Sequence, residues 1–163
     1  MMIICGYPGI GKTSMAGTIM PIDMGEVRVI DLDSSLFAGR ANIYANVAAS
    51  LARQGCIVLV STHKELRDCL SEIKDIPIVA CYPSLDLREQ WTKKLRDRYR
   101  TSYYSDESEK NRRAYMRAVD HYKEDIESIK YSGFINIELC NMDYRLDSEI
   151  IMAYNKLKEE EEC

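Results

Sequence analysis

Residues 6–13 read Gly-Tyr-Pro-Gly-Ile-Gly-Lys-Thr, a complete G-x-x-x-x-G-K-[ST] string. No other feature restricts the possible folds as strongly. At average residue usage a chance match in a chain of this length has a probability below about 1%. Met2–Cys5, an apolar run with the character of a buried strand, precedes it. Lys12–Met20 follows and reads as a short helix stopped before Pro21. A strand that turns through glycines into a helix belongs to an α/β chain, because the helix must cross back over the sheet.

The rest of the chain repeats that alternation. Val27–Leu32, Cys56–Val60, Ile76–Cys81 and Phe134–Leu139 are four more β-branched or apolar runs. The unbroken apolar character of CIVLV suits a strand buried on both faces. Between the runs lie helical stretches at Ala41–Gln54, Lys64–Lys74, Leu85–Arg100, Arg112–Lys130 and Leu146–Glu160. Leu87, Trp91, Leu95 and Tyr99 form one stripe at steps of four, and Tyr115, Val119, Tyr122, Ile126 and Ile129 share a side of the next helix. Thr101–Asn111 holds tyrosines, serines and charges and reads as a mobile loop. The expectation is a three-layer α/β domain over 1–163 with a five-stranded, mainly parallel sheet.

The glycine string also has a chemistry. Gly6, Gly9, Ile10, Gly11, Lys12, Thr13 and Ser14 can wrap backbone N–H groups around an anion, at the positive end of the helix that starts at Lys12. Lys12 can reach the β- and γ-phosphates of a nucleotide, and Thr13 can ligate Mg²⁺. Asp31 and Asp33 end the second strand on the edge where ligands of open α/β sheets sit. Alternation puts both on one side of the strand, Asp31 toward the metal and Asp33 toward an acceptor group. Their other reading is a turn or helix cap, which Asp33-Ser34-Ser35 makes well. Thr62 and His63 follow the third strand and lie on the same edge. That strand carries no Asp at its end, which disfavours a mechanical ATPase or a switch GTPase.

Composition narrows the classes further. Hydrophobic residues make up 46% and charged residues 29% of 163, ordinary for a globular chain. The net charge of −4 equals the Glu159–Glu162 run, so the body is near neutral and a globally basic nucleic-acid binder is disfavoured. No apolar run approaches the ~18–20 residues that span a membrane, and the first residues are no signal peptide, so a cytoplasmic protein is expected. The six cysteines form no C-x-x-C pair and read as buried, reduced thiols. Residues 93–117, by contrast, hold nine basic against four acidic side chains. Arginine supplies cations to a transferring phosphoryl group, so this segment reads as a closing lid over about 96–117.

Taken in order, these motifs resemble the small P-loop kinases, the group containing nucleoside monophosphate kinases such as adenylate kinase together with shikimate and gluconate kinases. Kinases of this appearance also occur in phage genomes. The resemblance rests on GYPGIGKT after the first strand, DLD ending the second, CIVLVST, IPIVACYPS, a helix ending LRDRYR, a lid, and FINIEL before the last helix. It implies a P-loop NTPase fold and transfer of phosphate from ATP·Mg²⁺. It places Arg96 and Arg100 over the donor nucleotide and Arg112, Arg113 and Arg117 on the phosphoryl group. With about 34–55 as the acceptor segment, Asp33, Phe37, Arg40, Thr62 and His63 would meet the acceptor, with Arg67 as an outside choice for an acceptor phosphate. A nucleoside monophosphate is the leading acceptor. A hydroxyl acceptor (a nucleoside, a sugar acid or a nucleic-acid 5′ end), with Asp33 as general base, and an ATP-binding regulator that hydrolyses slowly both stay open. The third-strand STHK replaces the glycine-rich acceptor loop of shikimate kinase.

Overall fold

The strand preceding the glycine string is buried at every position, and this dictates what surrounds it. Met2–Gly6 (β1) lies at the centre of the sheet in a computed structural model that describes residues 1–23 and 25–162, the side chains of 160–162 excepted. Ile57–Val60 (β4) pairs with β1 on one side, Ile3 opposite Val58; Ile78–Pro83 (β5) pairs on the other, Ile3 opposite Ile78. Gly25–Asp31 (β3) extends the sheet beyond β4 and Ile135–Leu139 (β6) beyond β5. All four pairings are parallel. The carboxyl ends of these strands therefore share one edge.

Helices cover both faces, so the architecture is α/β. Ala41–Arg53 (α2) and Lys64–Ser71 (α3) pack over Ile3, Cys5, Val58, Val60 and Ile78. Buried alanines at 45, 48, 49 and 52 let α2 lie close to the sheet. Residues paired across a parallel ladder share a face, so Ile4, Leu59 and Val79 point the other way. They join a cluster with Trp91 and Leu95 of Arg88–Thr101 (α4) and with Leu146 and Ile150 of Leu146–Glu162 (α6). Ser108–Lys130 (α5) forms a hairpin with α4 and contributes Tyr122, Ile126 and Ile129 to the core.

The sheet has six strands, not five. The helix expected over Lys12–Met20 is only Lys12–Met15 (α1), and Ile19–Ile22 (β2) is an antiparallel edge strand on β3. Gly17, at φ +73°, carries the chain out of the helix. Met20 and Ile22 then face inward while Ile19 and Pro21 face outward, a period of two that a helical reading obscures. Pro21 is tolerated because the strand is at an edge.

The loop expected at Thr101–Asn111 is also shorter. Successive turn hydrogen bonds, from Ser102 N to Arg98 O, Ser105 N to Ser102 O and Ser108 N to Ser105 O, carry the chain directly from α4 into α5. Buried Asn111 fastens the turn by donating to Ser102 Oγ at 2.9 Å. Leu85–Leu87 is a separate 3-10 turn ahead of α4. Cys5 and Cys81 are buried as expected, but Cys140 is exposed; Cys163 lies outside the described residues. Among the described residues no helix is long and apolar enough to cross a membrane.

Two substitutions bracket the energetics. Leu59→Ala, in a β4 site that is 0% exposed, is expected to lower the unfolding free energy by about 2–5 kcal/mol. Tyr104→Ser, at a hairpin-tip site that is 98% exposed, is expected to change it by less than about 0.5 kcal/mol. Urea unfolding of both variants checks the pair.

Candidate functional site

The chain leaves the buried end of β1 and turns at once through residues 6–13. A side chain at Gly6 would overlap that of Ile10, which the turn buries beneath itself. Gly9 sits at φ +89°, and an added Cβ there would lie 3.1 Å from Leu95 Cδ2 and 3.3 Å from Trp91 Nε1. Tyr7 N donates to Cys81 O at 2.9 Å, tying the loop to β5. Burial pushes the Cys5 and Cys81 thiols up to about 12, so they stay protonated beside it.

Lys12 folds back over this turn. Its Nζ donates to Gly6 O at 2.5 Å and Tyr7 O at 3.3 Å. Burial pulls its pKa down to about 8, against the favourable pull of Asp31, and Arg98 adds repulsion in the same direction as burial. Thr13 Oγ1 donates to Asp31 Oδ2 at 3.2 Å, so the expected metal pair is brought together. A hydroxyl and a carboxylate are hard oxygen donors of the kind Mg²⁺ takes alongside phosphate. Ser14 is exposed next to them.

The remaining carboxyl-edge residues are tied by Tyr44. Its hydroxyl donates to Leu32 O at 2.6 Å and accepts from Ser61 N at 3.2 Å, fixing the ends of β3 and β4 relative to each other. Strand β3 stops at Asp31, so Asp33 is not on one strand side with it. Asp33 instead caps the 3-10 turn Ser34–Phe37, accepting from Ser35 N at 2.9 Å, and pairs with Lys110 Nζ of α5 at 3.3 Å. The Ser35 amide first, and Lys110 after it, hold the carboxyl below its ordinary range. Phe37 stacks on Tyr44 with centroids 4.7 Å apart. Arg40 donates to Leu36 O at 2.9 Å.

His63 precedes α3 after Thr62, whose carbonyl accepts from Arg67 Nε at 3.1 Å. Burial lowers the His63 pKa, against the pull of Glu65, and Arg117 and Lys12 push further in the same direction. Arg67 is buried and also donates to Ser128 O at 2.5 Å and Ser128 Oγ at 2.8 Å. All three of these hydrogen bonds go to the protein itself.

The arginines divide differently from the expectation. Arg112 and Arg113 both bind Glu109 of their own helix, at 2.9 and 2.8 Å. Arg96 pairs with Asp97 at 3.5 Å and lines a groove between α4 and α5 with Arg88 and Tyr115. Arg100 is exposed near the end of α4. Arg98, one turn beyond Lys94, is the α4 arginine whose charge reaches Lys12. Arg117 is clamped by Asp125 at 2.6 Å, near enough to Tyr7 and His63 to perturb both.

Sequence reasoning missed the surface beside the loop. A depression of about 320 Å³ is lined by Gly11, Ser14, Lys94, Met142, Tyr144 and Arg145. The last three lie in the connection between β6 and α6. Its position after the carboxyl end of a parallel strand is the signal that marks such a connection. Compared with known protein families, curated proteins and solved structures, the chain matches none.

Lys12 gives the site a pH signature. Its pKa is lower folded than unfolded, so between about 8 and 10.5 the unfolded chain binds more protons and this residue's contribution to stability rises with pH. The folding stability of Lys12→Met relative to wild type should therefore be highest below about pH 8 and should narrow toward pH 10.5. Urea midpoints of both chains at pH 7.5 and 9.5 check this, the difference cancelling the buried thiols.

Proposed function

We propose that the chain is a P-loop kinase that transfers the γ-phosphoryl group of ATP to a nucleoside monophosphate, in a three-layer P-loop NTPase fold. The observation that carries the reading is the conjunction, at one sheet edge, of the glycine turn, Lys12 and the Thr13–Asp31 pair at 3.2 Å. Each has a place in phosphoryl transfer. The parallel order β3-β4-β1-β5-β6 supports it, because β1 then ends between neighbours that add groups from both sides.

In this reading the N–H groups of residues 9–13 and the Lys12 ammonium hold the donor phosphates. Bound Mg²⁺, held by Thr13 with Asp31 behind it, would supply positive charge to the phosphate oxygens. An anion in the loop draws Lys12 off the Gly6 and Tyr7 carbonyls and favours its charged form. The base lies in the depression beside Tyr144 and Met142, where an aromatic face and apolar side chains suit a purine. Arg98, whose charge reaches Lys12, and Arg117, whose charge reaches Tyr7 and His63, are the lid cations this reading assigns to the charge that spreads over the phosphoryl oxygens in flight.

The acceptor corner favours an anion. Lys110 comes down from α5 onto Asp33, and the pair leaves Asp33 a weak base, already committed to the Ser35 amide. A hydroxyl acceptor needs a base there; a monophosphate oxygen does not. The bond from the γ-phosphorus to the ADP oxygen breaks as the bond to the acceptor phosphate oxygen forms, with no proton to remove.

The test is ADP release from ATP·Mg²⁺ across ribo- and deoxynucleoside monophosphates, nucleosides, shikimate, gluconate and a 5′-hydroxyl oligonucleotide, with Lys12→Ala as the blank. Stimulation by a monophosphate is expected, and Lys110→Ala should raise its KM about tenfold or more while changing the KM for ATP little. Stimulation confined to hydroxyl compounds would overturn the acceptor assignment. Binding of ATP with no stimulated turnover would overturn the kinase reading in favour of a regulator.

A further inference from the structure

Two consecutive carbonyls of the glycine turn are held by aromatic side chains, Trp91, which the proposed scheme does not use, and Tyr144, which it uses only beside the base. Trp91 of α4, the only tryptophan of the chain and fully buried, donates its indole N–H to Pro8 O at 2.9 Å. Tyr144 donates its hydroxyl to the next carbonyl, Gly9 O, at 3.3 Å. The two rings stack with centroids 5.9 Å apart, and Lys94 Nζ sits 4.5 Å from the Trp91 centroid and 5.1 Å from that of Tyr144. Lys94 also donates to Tyr144 Oη at 3.0 Å. A hydroxyl that accepts from an ammonium turns its own proton elsewhere, here to Gly9 O.

A peptide plane has two ends. Fixing the carbonyls of Pro8 and Gly9 fixes the amides of Gly9 and Ile10 on the opposite side of each peptide plane, where Ile10 N donates at 3.3 Å to Tyr7 O, a carbonyl that also accepts from Lys12. Those amides belong to the segment that meets an anion. A glycine-rich turn without such ties populates many conformers, and each must be lost when an anion binds.

We propose that Trp91 and Tyr144 are positioning residues of the phosphate loop, holding its N–H groups in place before any ligand arrives. The inference rests on the phosphate-loop reading and extends it. It makes the first lid helix, α4, and the β6–α6 connection part of the anion site without either touching the anion. It also accounts for the tight packing at Gly9, where an added Cβ would lie 3.1 Å from Leu95 Cδ2 and 3.3 Å from Trp91 Nε1.

The experiment is calorimetric titration of the full chain with magnesium tripolyphosphate, which engages the loop and has no base, and in parallel with ATP·Mg²⁺. Trp91→Phe keeps a ring and loses the donor; Tyr144→Phe loses only the hydroxyl. Each is expected to weaken tripolyphosphate binding about five- to tenfold, the effect of one lost hydrogen bond. Trp91→Phe should weaken ATP by the same factor, with the melting temperature of the ligand-free protein moving by only a few degrees. A purely structural role would instead lower the melting temperature and leave the affinity of the folded protein unchanged. Affinities of both variants within twofold of wild type would overturn the proposal while leaving the loop reading intact. Wild type that binds neither ligand, like Lys12→Ala, would overturn the loop reading and the proposal with it. If Trp91→Phe does not fold, Tyr144→Phe alone decides between these outcomes.

Discussion

Parallel pairing of β1 with β4 on one side and β5 on the other is the constraint from which the rest of the molecule follows. It leaves β1 with no free edge, so all five of its residues are buried and its end opens among the ends of its neighbours. A chain emerging there has no surface to run along. It must turn within a few residues or collide with the helices on either face. Glycines allow that turn, and Ile10, tucked beneath it, gives it a floor. Asp31 arrives beside Thr13 because β3 is in register with β4, Asp31 opposite Leu59.

The helical hairpin of α4 and α5 is a bridge as much as a cover. Its first helix grips the glycine turn through Trp91, and its second begins with Lys110 resting on Asp33. Donor and acceptor corners of the proposed site are thus joined through one hairpin. Helix α5 departs from helical geometry at His121, φ −132°, and the Arg117–Asp125 pair spans that break. A ligand that competes for Arg117 or Lys110 therefore acts on the hairpin whose first helix supports the glycine turn.

Much of the fold was legible. The five parallel strands, the order of the helices and the stripe of Leu87, Trp91 and Leu95 follow from periodicity, because burial on two faces or on one stripe leaves a direct trace in residue type. The edge strand β2 was not legible. Met15 to Met20 has helical character, and only pairing with β3 makes Ile19–Ile22 extended. At the site the loop, Thr13 and Asp31 could be read from the string and the strand end. The pairing of Asp33 with Lys110 was not legible, since the partner lies 77 residues away and nothing local announces it. The ion-pair partners of the arginines were hidden for the same reason. A helix end in a string of arginines does not say which one faces inward.

What the sequence determined by itself is therefore local. It specified a strand, a glycine turn and a helix start, with a lysine and a hydroxyl at fixed spacing. These are properties of backbone freedom and of neighbours a few residues apart. What only the tertiary structure decided is the company that turn keeps: Trp91 and Tyr144 on its carbonyls, Arg98 near its lysine, and a depression walled by the β6–α6 connection. Those partners come from sequence positions 80 to 140 residues distant. The close packing of α4 and α6 over one face of the sheet, not any local pattern, brings them to the loop.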